Sequence, residues 1–160
     1  MWHKKYDTDG LLAGSGQTDK LILNQALENF HIDCDYEKSL YIKNFDVFFA
    51  KGLSLENGAA TITDYTAKII SDGIAYIRNF NQSQSSRWLG CGGGRKNKYL
   101  LNKIRSHFNE LHLDLIDKYK IDGDFVESQA FAYLAIRTLK KMPISFPGTT
   151  RCKSPSTGGI

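Results

Sequence analysis

The sequence predicts an α/β domain, and three observations carry that prediction. Apolar residues recur at helical spacing in several separate stretches, and short apolar runs between them read as strands. One such run, Trp88-Leu89-Gly90-Cys91, ends in three glycines and opens directly into another helical pattern. Helix and strand therefore alternate, as in an α/β chain. With 160 residues, 41% apolar content and three prolines, the chain has the material for one domain with a real core.

The elements follow in order. Residues 1–17, with Asp7-Thr8-Asp9-Gly10 and Gly14-Ser15-Gly16, predict turns. Thr18 is a candidate cap for a helix over 19–29, whose Ile22, Leu23, Ala26, Leu27 and Phe30 fall on one face. A linker carries Lys38-Ser39-Leu40, and Phe45, Val47, Phe48 and Phe49 predict a short buried helix. Ile62, Tyr65, Ile69, Gly73, Tyr76 and Ile77 line a long helix from near Gly58 to Asn79. After a polar connection at 81–86 come the glycine-ended strand and a helix carrying Leu100, Leu101, Ile104 and Phe108. Leu111, Leu113, Leu115 and Ile116 predict a second strand, and a last helix runs from Asp124 to about Lys141 before Pro143 stops it.

Composition excludes several function classes. No apolar run approaches the roughly 20 residues that cross a bilayer, and Met1-Trp2-His3-Lys4-Lys5-Tyr6 lacks the apolar core of a secretory signal, so the expectation is a cytoplasmic protein without a membrane partner. Cys34, Cys91 and Cys152 are odd in number and widely spaced, which predicts reduced thiols rather than a disulfide framework or a zinc site. The net charge of +4 is unevenly spread: residues 73–109 hold seven cations (Arg78, Arg87, Arg95, Lys96, Lys98, Lys103 and Arg105) and no Asp or Glu. That stretch fits either an anionic partner or a solvated basic face.

Two local constellations bear on chemistry. A strand that ends in Gly92-Gly93-Gly94 and opens a helix permits close backbone approach to an anion at the positive end of the helix dipole. It matches neither the P-loop nor the Rossmann fingerprint, and a glycine turn without a ligand fits the same residues. Arg95, Lys96 and Lys98 oppose the helix dipole, which an anion at the turn would explain. Further on, Asp124 and Glu127 stand as an N-cap and a reciprocal N3 partner, with Glu127 on the same face as Ala130, Phe131, Leu134 and Thr138. That pattern fits a structural capping box as well as a placed carboxylate.

Taken together, the segments resemble the anhydro-N-acetylmuramic acid kinase family, part of the superfamily of acetate and sugar kinases, heat-shock chaperones and actin with ribonuclease-H-like lobes. Tyr6-Asp7-x-Asp9-Gly10 with Ala13 and Gly16 is similar to the family's turn after its central segment. Lys38-Ser39-Leu40 with Phe45 is similar to its Lys-Ser motif, and Thr61-Ile62-Thr63-x-Tyr65-Thr66-Ala67 to the start of one of its helices. Cys91-Gly92-Gly93-Gly94-x-x-Asn97 with Leu100-Leu101 resembles its nucleotide loop. Gly123-Asp124-x-x-Glu127 with Ala130-Phe131-Ala132-x-Leu134-Ala135-x-Arg137-Thr138-Leu139 resembles its last helix.

The resemblance implies ATP with magnesium as the phosphoryl donor, bound fully only together with the missing lobe, and an anhydro amino sugar as the acceptor. Its 1,6-anhydro ring would be opened with water as O6 is phosphorylated, in cell-wall recycling. It implies that Gly92, Gly93, Gly94 and Asn97 line the nucleotide and that Glu127 stands near the sugar. The family's Gly-Thr-Ser-x-Asp-Gly and Phe-Asp-Thr-Gly-Pro-Gly-Asn segments occur nowhere in these 160 residues, so no catalytic base is expected here. Smaller departures are Glu37, Tyr41-Ile42 and Thr150-Arg151.

The expectation is therefore a single C-terminal lobe over 1–160, incomplete at its N-terminal side, with a turn-rich 1–17 and a nucleotide-loop unit at 87–141. Alone it would be inactive, and a separately encoded N-terminal kinase lobe would complete it. The alternatives are a non-catalytic anion- or nucleic-acid-binding module using 73–109, or the decayed product of a split gene. Nucleic acid is disfavoured because the aromatics beside the cations read as core.

Overall fold

The computed structural model describes residues 6–33, 45–81, 87–109 and 111–158. Its elements are α1 (Leu11–Ser15), α2 (Lys20–Asp33), α3 (Leu55–Asn81), β1 (Arg87–Gly90), α4 (Lys98–His107), β2 (His112–Leu115), α5 (Val126–Leu139) and α6 (Pro147–Thr150), with short 3-10 turns between them. The predicted α/β class holds in helix-rich form. Strands β1 and β2 pair in parallel, Arg87 opposite His112 and Gly90 opposite Leu115, and α4 makes the crossover that a parallel pair requires.

Helix α3 is the hub, packing against α1, α2 and α4. At 27 residues it is about 40 Å long. Leu23, Ala26, Leu27 and Phe30 of α2 bury against Tyr65 and Ile69 of α3. Phe30 meets Tyr65 edge-on at 6.1 Å, and Phe49 lies 4.9 Å from the same ring. Leu101 and Ile104 carry the buried stripe of α4.

Several local expectations are corrected. Residues 1–17 are not all turns, because the Asp7 carboxylate accepts the backbone N–H groups of Leu12 (2.8 Å) and Ala13 (3.0 Å), so starting α1 and burying Ala13. The cap of α2 is Asp19, whose Oδ1 accepts from the N–H groups of Leu21 and Ile22, both at 3.0 Å. Thr18 instead donates its hydroxyl to Asp64, 46 positions away. The phenylalanine cluster forms only a 3-10 turn at Phe48–Ala50, and Phe48 is 77% exposed, whereas Phe49 turns toward Tyr65 and Phe45 toward Phe30. The long helix extends to Asn81, but Tyr76 and Ile77 near its end are exposed.

The largest correction concerns α5. Of its predicted buried face, Ala130 and Phe131 (64%) are exposed and Leu134 and Thr138 only half-buried, and Tyr133, Ile136 and Leu139 elsewhere on the helix are exposed too. Only Glu127 and Arg137 are charged among its 14 residues, so apolar side chains point to every side, the signature of a helix built to be surrounded. Among the described residues, no helix is long and apolar enough to cross a membrane. The expected Lys38-Ser39-Leu40 motif, Cys34 and the connection at 82–86 lie outside the described residues. Cys91 and Cys152 are free thiols.

Candidate functional site

The glycine turn follows from its residues. Strand β1 ends at Gly90, and Gly92 takes φ +73°, a left-handed conformation that other residues adopt only with strain. The chain then makes a 3-10 turn over Gly93–Lys96 and enters α4. An added Cβ at Gly92 or Gly93 would meet nothing within 4 Å, and at Gly94 only the Leu100 side chain at 3.8 Å. This face of the turn is open, and its glycines are not there for internal packing.

Asn97, predicted to line a nucleotide, caps α4: its Oδ1 accepts the Leu100 N–H at 2.9 Å. The same oxygen would lie 2.2 Å from any Cβ placed on Gly10, so the Asp7–Gly10 motif and the start of α4 press together. Beside the turn lies a cavity of about 320 Å³, lined almost wholly by apolar groups including Ile70, Ile74, Trp88, Gly94, Leu100 and Ile104. Its volume and apolar lining suit a flat organic ring.

The acidic helix start meets the turn directly. The Gly92 N–H donates to the Gly123 carbonyl at 2.9 Å. The expected capping box is absent, because no side chain caps α5 and Asp124 is engaged elsewhere. Its carboxylate accepts from Arg95 Nη1 at 2.5 Å and pairs with Lys96. Glu127 lies in the first turn of α5 and is exposed, free of the structural duty the sequence allowed it.

Arg95 is the buried centre of this arrangement, with 6% of its side chain exposed. Nε and Nη2 donate to Asp117 at 2.7 and 2.9 Å, and Nη1 also donates to the Gly92 carbonyl at 3.0 Å. The guanidinium hydrogen bond holds the Asp117 carboxyl down at about 2, and Arg95 with Lys96 pulls Asp124 below the usual range. The N–H groups of Arg95 are therefore taken up within the fold, which accounts for its charge by internal partners.

The remaining cations of 73–109 also have partners. Lys98 lies 3.7 Å from Asp9, Arg105 donates to the Leu113 carbonyl at 3.4 Å, and Arg78 and Arg87 stack over Phe108 and Tyr119. Lys103 Nζ and His107 Nε2 reach the buried Asp64 at 2.7 and 2.5 Å. Burial pushes the Asp64 carboxyl up, yet hydrogen bonds from Lys103, His107 and Thr18 outweigh it and leave the group below its ordinary value. Sequence reading missed Asp64, Asp117 and the role of Arg95. The signal available was a run of cations without acids, which predicts acids supplied by other segments.

Comparison with known proteins covers the whole chain. A model of the family described as anhydro-N-acetylmuramic acid kinase matches residues 1–160. A protein of that name from Pelagibacter ubique is 48% identical over 158 residues, covering 98% of this chain and 42% of its own length. Similarly named proteins from Rhizorhabdus wittichii and Caulobacter vibrioides are 36% and 37% identical, each covering 97% of this chain and 41% and 40% of their own lengths. The chain thus spans about two fifths of the curated relatives it matches.

Proposed function

The chain belongs to the anhydro-N-acetylmuramic acid kinase family, and on that premise we propose that it supplies the nucleotide side of an ATP-dependent sugar kinase. The observation that carries this reading is the open glycine turn, whose Gly92 and Gly93 leave unfilled the space their side chains would take. Phosphate oxygens would rest against the backbone of Gly92, Gly93 and Gly94, and the adenine ring would enter the adjacent apolar cavity. Asn97 would contribute chiefly by fixing the start of α4. Glu127, exposed one turn beyond Gly123, would face the sugar.

In this reading residues 1–160 form one C-terminal, ribonuclease-H-like lobe. The reaction is opening of the 1,6-anhydro ring of the amino sugar by water with transfer of the γ-phosphoryl group of ATP to O6, giving the 6-phosphate and ADP in peptidoglycan recycling. Such a transfer depends on positioning and charge neutralisation. The carboxylate base belongs to the two motifs that these residues do not contain. Magnesium would enter on the ATP phosphates, as the family's use of ATP implies. The compartment is the cytoplasm.

The lobe is therefore inactive by itself, and the exposed apolar surface of α5 is where the rest of the kinase would pack. The polyanion-binding alternative draws on the 73–109 cations, each of which already has a partner within the fold. The deciding experiment combines this chain with a polypeptide bearing the two missing motifs and follows ATP-dependent formation of the sugar 6-phosphate. A folded complex that binds ATP yet forms no sugar phosphate would reject the kinase assignment.

A further inference from the structure

The guanidinium of Arg95 is engaged by groups of the protein itself. Its N–H groups are directed to Asp117, Asp124 and the Gly92 carbonyl, with Asp122 3.6 Å from Nη2. These partners come from three places in the chain: the turn itself, the 3-10 turn after β2 and the loop leading into α5. The packing is close enough to dictate sequence, since a Cβ on the buried Gly123 would lie 2.4 Å from Arg95 Nε. The Gly92 N–H to Gly123 carbonyl bond fastens the same two segments a second time.

We propose that Arg95 is the positioning residue of the nucleotide site, holding the glycine turn and the start of α5 as one unit, so that nucleotide on the turn also steadies the helix that carries Glu127. The inference rests on the nucleotide reading above. A planar, forked guanidinium can hold Asp117 through two parallel bonds while a third nitrogen spans Asp124 and Gly92; a lysine ammonium cannot keep that geometry. Holding the turn in its binding conformation removes an ordering cost from nucleotide binding, and the shared carboxylates extend the restraint to residues 122–127.

The test is amide hydrogen exchange on the 160-residue chain with and without magnesium-ATP, together with the ATP dissociation constant. In the wild-type chain ATP should slow exchange at both 92–97 and 122–127. Arg95→Met should retain helical content, confine the ATP-induced protection to 92–97 and weaken ATP by about tenfold. Arg95→Lys should restore part of the affinity but not the protection at 122–127.

A purely structural role for Arg95 would lower stability throughout and leave the reach of the ATP response unchanged; that result overturns the proposal. If Arg95→Met loses its fold, Asp124→Asn decides by the same readouts, because it releases the α5 side while Asp117 still holds the guanidinium. A wild-type chain with no ATP-induced protection at 92–97 would reject the nucleotide reading and this coupling with it. Wild-type protection matched residue for residue by the variants would reject the coupling alone.

Discussion

Substituting Gly93 by valine separates ligand binding from folding at one atom's distance. Its Cβ would project into space with no heavy atom within 4 Å, and its backbone is not in the left-handed region, so the folding cost should stay within about 0.5 kcal/mol. The cost to a ligand is different. A backbone N–H holds a phosphate oxygen at about 2.9 Å, whereas methyl groups in that gap keep it at about 3.5 Å or more. Saturating ATP at about 100 times its dissociation constant stabilises a binding-competent domain by roughly 2.7 kcal/mol. For a chain of this size that corresponds to a rise in Tm of about 5–10 °C. Thermal melts followed by circular dichroism, with and without magnesium-ATP, should show this rise in the wild-type chain and none in Gly93→Val, with equal helical content. An unchanged ATP response in the variant refutes the assignment of the turn, and a loss of helix refutes its description as open.

Other substitutions probe the supports. Gly123→Ala forces a Cβ against Arg95 and should cost about 1–3 kcal/mol by overpacking, read from urea unfolding; a neutral result would contradict the packing described. Asp64→Asn leaves Lys103 and His107 without their carboxylate and should cost roughly 2 kcal/mol, less than for a fully buried pair because each keeps about a quarter of its side chain in water. Asp117 is held near 2 against an ordinary 3.8, so its folded state binds the proton more weakly than the unfolded state. Its contribution is complete above about pH 4 and lost as pH falls through 2, and Asp117→Asn should flatten stability measured across that interval. On α5, Phe131→Glu should leave the isolated chain within about 0.5 kcal/mol of wild type, since Phe131 is 64% exposed, while abolishing assembly with the remaining part of the kinase in a co-purification assay.

The α/β class, the glycine-ended strand and the long central helix were legible because each is written in local periodicity. What escaped were choices between equivalent local partners. Thr18 and Asp19 are both good caps, and the choice fell to Asp19 because Asp64, distant in sequence, draws the Thr18 hydroxyl away. Asp124 and Glu127 have capping-box spacing, but Arg95 offers Asp124 a charge-assisted bond that a backbone N–H does not match. The periodicity of α5 correctly marked apolar residues. It does not say which neighbour covers them, and nothing among the described residues does so fully. Of the candidate site, the glycines were visible as glycines, whereas the Arg95 centre depends on contacts across 22 and 29 positions that spacing does not encode.

The bond between Gly92 and Gly123 has a kinetic consequence. A loop tethered at its first glycine and pinned by its own arginine is a mould rather than a latch: its shape is set when the chain folds, not when the ligand arrives. Nucleotide association with this turn should accordingly follow a single concentration-dependent phase, with no slower isomerisation behind it.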